Sequence, residues 1–295
     1  MTIERVAVTG GNGTIGSEVV RELADQGYHV TNVSREEWGE RGEAVADEYR
    51  TADLLDAGET YGALAACDAD AVVHMATIPH PISHPEHVVF ESNAMTVYHV
   101  LEAATSLGSE AVVLPSSINV MGATYQDAPT DVRYLPVDED HPLTPRDPYA
   151  IGKHATEVAG AGFGRRPDAP RIASLRFPWV TSSDRLRERF AEADRTVEGI
   201  RASKRTGRES LFAYLHVADA AAIARCCLEA DFDGHEAFWA VASDTNAAVP
   251  SAELADEFYP DAERRSELAG TESLVSIEKA RELLGWEPER SWRDL

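Results

Sequence analysis

Lysine is nearly missing from this 295-residue chain: of its 27 basic residues only Lys153, Lys204 and Lys279 are lysines. Positive charge is scarce as a whole, since 51 Asp+Glu set against 27 Lys+Arg give a formal net charge of −24. So negative a surface repels phosphate backbones and anionic lipid heads, which argues against nucleic-acid and membrane partners. Cysteine is scarce too. Cys67 and the adjacent pair Cys226–Cys227 make neither a disulfide framework nor a CxxC metal knuckle, and they read as small core residues of a reducing cytosol. No apolar run approaches the length of a membrane span, and the opening Met-Thr-Ile-Glu-Arg has no basic and apolar leader. A cytoplasmic protein without a metal centre is expected.

What is present alternates. Arg5–Thr9 is a short β-rich run, then come glycines and a helical stretch from Ser17 to Asp25. Strands are expected at 28–33, 48–52, 71–75, 111–114 and 171–177, and helices at 56–67, 93–107 and 148–160. This βαβ rhythm predicts an α/β fold, a doubly wound parallel sheet of the Rossmann kind. The dinucleotide-binding domain should cover 1–177 with a return at 211–241; 178–210 and 242–295 should form a smaller substrate lobe. A charged helix is expected over 184–204 and a buried one over 218–230.

Three motifs carry chemistry. Thr9-Gly10-Gly11-Asn12-Gly13-Thr14-Ile15-Gly16 follows a strand and opens a helix, the setting in which glycines allow a tight turn and close backbone approach to a pyrophosphate. Tyr149 and Lys153 stand at i and i+4, on one helix face, where an ammonium favours phenoxide and makes the phenol a usable base. Nine tyrosines and three lysines placed at random would give roughly 0.1 such pairs. Ser116-Ser117 leaves the end of the fifth strand, where ligands of doubly wound folds gather.

With these residues in place the chain resembles the extended, sugar-epimerase-like branch of the short-chain dehydrogenase/reductase superfamily. The resemblance rests on the glycine start, Asp53-Leu54, His74-Met75-Ala76, Asn93, Ser116-Ser117 with Gly122, Tyr149-x-x-x-Lys153, Leu215-His216-Val217-x-Asp219, and a C-terminal run from Ser276 to Pro288. It implies Ser117, Tyr149 and Lys153 as catalytic residues. It implies a cofactor site of Gly10, Asn12, Gly13, Thr14, Ile15, Gly16, Ser34, Arg35, Asp53, Leu54, Met75, Ala76, Thr77, Asn93, Lys153, Phe177 and Pro178. Ser34 and Arg35 stand where an acidic residue marks NAD enzymes, which favours NADP, with NAD left open by Glu36 and Glu37. It also implies a homodimer through the helices at 93–107 and 148–160. Lysine depletion beside retained arginine is similar to proteins of halophilic archaea, whose salt would screen the surface charge.

Substrate is harder to read. Nucleotide-sugar epimerases of the branch place Asn where this chain has Trp179, and a phosphate-binding Arg where it has Phe212. This favours an NAD(P)-dependent dehydrogenase of a sugar, sugar phosphate or sugar acid; a UDP-glucose-type 4-epimerase is the alternative, and a non-catalytic NADP-binding regulator a remote one. Substrate contacts are expected at His80, Ser117, Asn119, Trp179 and Phe212. His80, His84 and His87 are taken to lie in one proline-broken loop, not a metal site.

Overall fold

The computed structural model describes residues 3–36, 45–125, 130–203 and 207–295. Its strands are β1 (Arg5–Thr9), β2 (His29–Ser34), β3 (Glu48–Thr51), β4 (Ala71–His74), β5 (Ala111–Ser117), β6 (Tyr134–Leu135), β7 (Arg171–Phe177), β8 (Trp179–Thr181), β9 (Tyr214–His216), β10 (His235–Trp239) and β11 (Glu263–Arg264). Its α-helices are α1 (Thr14–Asp25), α2 (Ala57–Cys67), α3 (Glu86–Leu107), α4 (Pro148–Gly164), α5 (Ser183–Leu186), α6 (Val197–Ala202), α7 (Val217–Glu229), α8 (Ser251–Phe258) and α9 (Glu278–Leu284).

Seven strands form one parallel sheet in the order β10-β7-β5-β4-β1-β2-β3. β4 and β5 are buried along their whole length, because helices cover both faces; their unbroken apolar runs follow from that. Helix α1 buries Gly16, Val19, Val20 and Leu23, spaced to form one stripe against the sheet. The two faces of the sheet carry two clusters, one containing Val8, Val73, Val113 and Leu175, the other Val72, Val112, Leu101 and Ile172. The chain runs outward from β1 to β3, then returns to place β4 on the other side of β1. The switch point lies between β1 and β4, and ligand sites of such sheets open there, at the carboxyl ends of the strands.

Two expectations are corrected. The stretch 184–204 is not one helix: α5 passes into a π turn at Arg187–Ala191, and α6 begins only at Val197; Lys204 lies outside the described residues. Helix α3 starts at Glu86, directly after Pro85, so His87 belongs to its first turn and not to the loop of His80 and His84. A proline just before a helix leaves its first turn intact. Within 211–241 the main sheet regains a strand through β10, after α7; β9 pairs with β8 in a separate parallel pair. Outside the sheet a small aromatic cluster gathers Leu186, Phe190, Tyr214, Ala242 and Trp292, with Trp179 against it. Among the described residues no helix is long and apolar enough to cross a membrane.

Candidate active site

The glycine loop leaves β1 at the switch point. Gly10 has φ +70°, and a Cβ on it would stand 2.5 Å from the backbone N of Ala76. A Cβ on Gly16 would stand 2.2 Å from the carbonyl O of Gly10. Both positions exclude a side chain, one through conformation and contact, the other through contact alone. Gly13 precedes α1, no side chain caps it, and the first turn holds no acid, so the leading N–H groups of α1 are left for an anion. Thr14 is exposed and Ile15 packs on the core beneath. Asn12 is braced: it accepts from Asn32 Nδ2 at 2.9 Å and donates to Ser34 Oγ at 3.1 Å. Asn32 gave no sequence signal beyond its place in β2.

Ser34 ends β2, with Arg35 and Glu36 exposed just beyond it; Glu37 lies outside the described residues. Asp53 is exposed and its carboxylate accepts from Leu55 N at 3.0 Å, whereas Leu54 is buried. Met75, Ala76 and Thr77 follow β4, beside the glycine loop, and the register of β7 sets Phe177 opposite Ser117, with Pro178 next along the chain.

Helix α4 starts where sequence placed it: Asp147 caps it by accepting from Ala150 N at 2.9 Å, and Pro148 occupies its first turn. One turn brings Tyr149 and Lys153 onto the same side, with Lys153 Nζ 5.6 Å from the Tyr149 ring centroid. The Ser117 hydroxyl lies on the Tyr149 phenol's side of the site and favours its phenoxide form. Ser117 Oγ accepts from Asn119 N at 3.2 Å. Lys153 is 1% exposed and donates to Thr77 Oγ1 and to the Pro115 carbonyl, both at 2.8 Å. Thr77 in turn donates to Asn93 Oδ1, and Asn93 Nδ2 donates to the carbonyls of Val89 and Ile78. Asn93 therefore holds the loop that holds Lys153.

Burial dominates the electrostatics. It pushes the Tyr149 phenol up to about 12, against the influence of Ser117, and draws the Lys153 ammonium down to about 7. Desolvation thus outweighs, in the free protein, the help that the pairing was expected to give to phenoxide. His74, next to this group, is fully buried and held at about 3 by desolvation and by Lys153, so it is neutral. Its ring nitrogens meet Thr9 Oγ1 at 2.6 Å and Thr96 Oγ1 at 3.3 Å.

Of the expected substrate contacts, the structure brings Asn119 beside Ser117 and leaves His80 half-buried in the loop after β4. Trp179 packs edge-on to Phe190 at 5.8 Å, and Arg189 lies over its ring at 4.4 Å. Phe212 is a correction. It is fully buried, ring centroids 5.2 Å from Phe258 and 6.4 Å from Tyr259, and offers no surface to a substrate.

Sequence reading missed an ion pair behind the site. Glu157, one turn beyond Lys153, takes Arg176 in a two-point contact, Nε to Oε1 and Nη2 to Oε2, each at 2.9 Å. Ser116 Oγ donates to Glu157 Oε1 at 2.5 Å, and Arg176 lies over Trp239 at 4.8 Å. Despite its burial, Glu157 stays below the usual carboxylate range because Arg176 and Ser116 donate to it. The signal available was the i+4 spacing from Lys153; the register that sets Arg176 opposite Ser116 was not readable.

The model of the NAD dependent epimerase/dehydratase family matches residues 6–239. The chain belongs to that family. Among curated relatives of this family member, an L-arabinose 1-dehydrogenase (NAD(P)(+)) of Haloferax volcanii is 27% identical over 205 residues, 67% of this chain and 76% of that protein. A putative UDP-glucose 4-epimerase of Methanocaldococcus jannaschii is 29% identical over 160 residues, 52% of this chain. The match spans about half that epimerase's length, 48%. Among solved structures, a UDP-galactose 4-epimerase superposes with TM-score 0.66 at 26% identity, covering 97% of this chain and 94% of that one. A mutated uronate dehydrogenase shares the fold, with TM-score 0.69 at 21% identity over 99% of this chain and 84% of that one.

Proposed function

We propose that this family member is an NAD(P)-dependent oxidoreductase acting between a hydroxyl and a carbonyl of a sugar, sugar phosphate or sugar acid. The observation that carries the reading is the convergence of Ser117, Tyr149 and Lys153 at the strand ends beside an uncapped helix N-terminus with a side-chain-free glycine cradle. That cradle fits a dinucleotide: Gly10, Gly13 and Gly16 would admit its pyrophosphate, Ser34 and Arg35 its ribose, Lys153 its nicotinamide end. When bound, the nicotinamide supplies the hydride acceptor or donor. Ser117 Oγ orients the substrate hydroxyl, and Tyr149 Oη takes its proton on oxidation or returns it on reduction. Lys153 sits in a pocket where its charge is costly, so it is ready to gain a hydrogen-bond acceptor. Ser34 and Arg35, with no acid between them and the strand, favour NADP over NAD.

What supports the dehydrogenase reading is the sequence itself, which has Trp179 and Phe212 where nucleotide-sugar epimerases of the branch place Asn and Arg. The second reading, a UDP-sugar 4-epimerase, is supported by the likeness to the UDP-galactose 4-epimerase. A homodimer belongs to the same proposal: Phe90, Met95 and Tyr98 on α3 and Ile151 and Val158 on α4 are exposed large apolar side chains. So do a cytoplasmic location, consistent with free Cys67, Cys226 and Cys227, and a salt-rich working solvent of the halophilic kind, consistent with the −24 charge.

A spectrophotometric screen in molar KCl decides between the readings. Free sugars, sugar phosphates and sugar acids are offered with NADP⁺ and NAD⁺, and UDP-sugars are followed in parallel for interconversion without net cofactor reduction. Dehydrogenation of a free sugar supports the first reading; interconversion of UDP-sugars alone replaces it with the second. Tyr149→Phe should lower kcat by about 10²–10⁴ in either case, and full activity in that variant would remove both.

A further inference from the structure

Tyr125 follows Ser117 by eight residues, in the loop that leaves the 3₁₀ turn Ile118–Met121. Thr124 takes a left-handed conformation, φ +68°, and Tyr125 N donates to Ala123 O at 2.8 Å, so the chain doubles back and sets the tyrosine over the site. Its ring meets the ring of Tyr149 edge to face, centroids 6.4 Å apart at 84°. Tyr149 is 8% exposed and Tyr125 39%, so the pair runs from the reacting phenol to solvent with Tyr125 on the outer side. A large apolar ring left part-open beside a reactive hydroxyl has surface still to bury. A cyclic sugar has the complementary form: a rim of hydroxyls, one of which must reach Tyr149 and Ser117, around faces made of C–H groups.

We propose that Tyr125 is a substrate-contacting, specificity-determining residue, whose ring forms the wall on which the C–H face of a cyclic sugar lies while one hydroxyl engages Tyr149 and Ser117. This rests on the sugar oxidoreductase reading. It narrows the substrate class, because a flat wall selects ring-closed sugars over the open-chain alditols of the same composition, which present no flat face.

The test is steady-state kinetics of the full chain in molar KCl, with the best cyclic sugar from the screen and its alditol. Wild type is compared with Tyr125→Phe, Tyr125→Leu and Tyr125→Ala, each checked by thermal melt. Tyr125→Ala should raise KM for the cyclic sugar roughly tenfold, the size of one aromatic contact, with little change in KM for the nucleotide. Tyr125→Leu, which keeps bulk without a flat face, should do the same should the alanine variant melt early. Tyr125→Phe, which keeps the flat face, should keep KM for the cyclic sugar. An unchanged sugar KM in both the alanine and leucine variants overturns the inference while leaving the parent reading intact; a wild-type protein that oxidises no sugar overturns both.

Discussion

Gly16→Ala tests the cofactor cradle with a single methyl group. The added Cβ would lie 2.2 Å from the carbonyl O of Gly10, 2.8 Å from its carbonyl C and 3.0 Å from Gly11 Cα. All three are backbone atoms, so no side chain can turn aside. Gly10 cannot retreat easily: its N donates to Val33 O and its O accepts from Gly13 N, both at 2.9 Å, and Ala76 blocks its far side. Overpacking of this kind costs about 1–3 kcal/mol, to be met by shifting the loop, the helix start or both. If the distortion is carried by the loop, nucleotide affinity should fall roughly 10–100-fold; if by the fold, Tm should fall by about 2–5 °C. Gly62→Ala is the matched control, because Gly62 lies within α2 with nothing within 4 Å of the new Cβ, and alanine there should stabilise by about 0.5–1 kcal/mol. Calorimetric titration with NADP⁺ and NAD⁺, with thermal melts of the same samples, reads both quantities. A Gly16→Ala protein that binds both nucleotides within twofold of wild type and melts at the same temperature would refute the reasoning.

Other consequences are open to measurement. Arg176→Leu leaves the Glu157 carboxylate buried without its two-point partner and should cost about 3–5 kcal/mol in urea unfolding; a loss under 1 kcal/mol would mean the pair behaves like a surface one. Burial holds His74 at about 3 and His235 at about 4, whereas both titrate near 6.5 when unfolded. The unfolded chain then binds more protons between those values, so stability should fall as pH drops from 6.5, by up to about 1.4 kcal/mol per unit for each histidine. His235→Gln should flatten that slope at fixed salt, and an unchanged slope would remove the assignment. Raising KCl from 0.1 to 2 M shortens the screening length from roughly 10 Å to under about 3 Å and should raise Tm; a flat or falling Tm would show that the −24 charge is not a burden at low salt.

The parts of the fold legible in the sequence are those where one physical rule acts alone. The runs 71–75 and 111–114 read as buried strands because two covered faces demand apolar sequence, and strands stand there at Ala71–His74 and Ala111–Ser117. The glycine loop and the Tyr149–Lys153 pair were legible because their chemistry fixes local spacing. Elsewhere tertiary contacts decide. The charged periodicity over 184–204 looked like one helix, yet Leu186 and Phe190 are drawn into the aromatic cluster and the helix breaks around them. Phe212 was read as facing a ligand because it replaces a ligand-binding residue type; burial against Phe258 and Tyr259 gives it the opposite setting. Glu157 and Arg176 stand 19 residues apart and meet only once β7 is registered on β5.

The aromatic cluster of Leu186, Phe190, Tyr214, Ala242 and Trp292 shares no member with the two clusters that flank the sheet. Two of its members, Tyr214 and Ala242, are next in the chain to Ala213, Leu215 and Val241 of the larger cluster, so the two groups are joined through the backbone and not through shared side chains. On the function proposed above, a change at Phe190 would alter the packing of Trp179, on whose ring it lies edge-on, while leaving the glycine cradle and the Ser117–Tyr149–Lys153 group untouched, so the two can be varied separately in the laboratory.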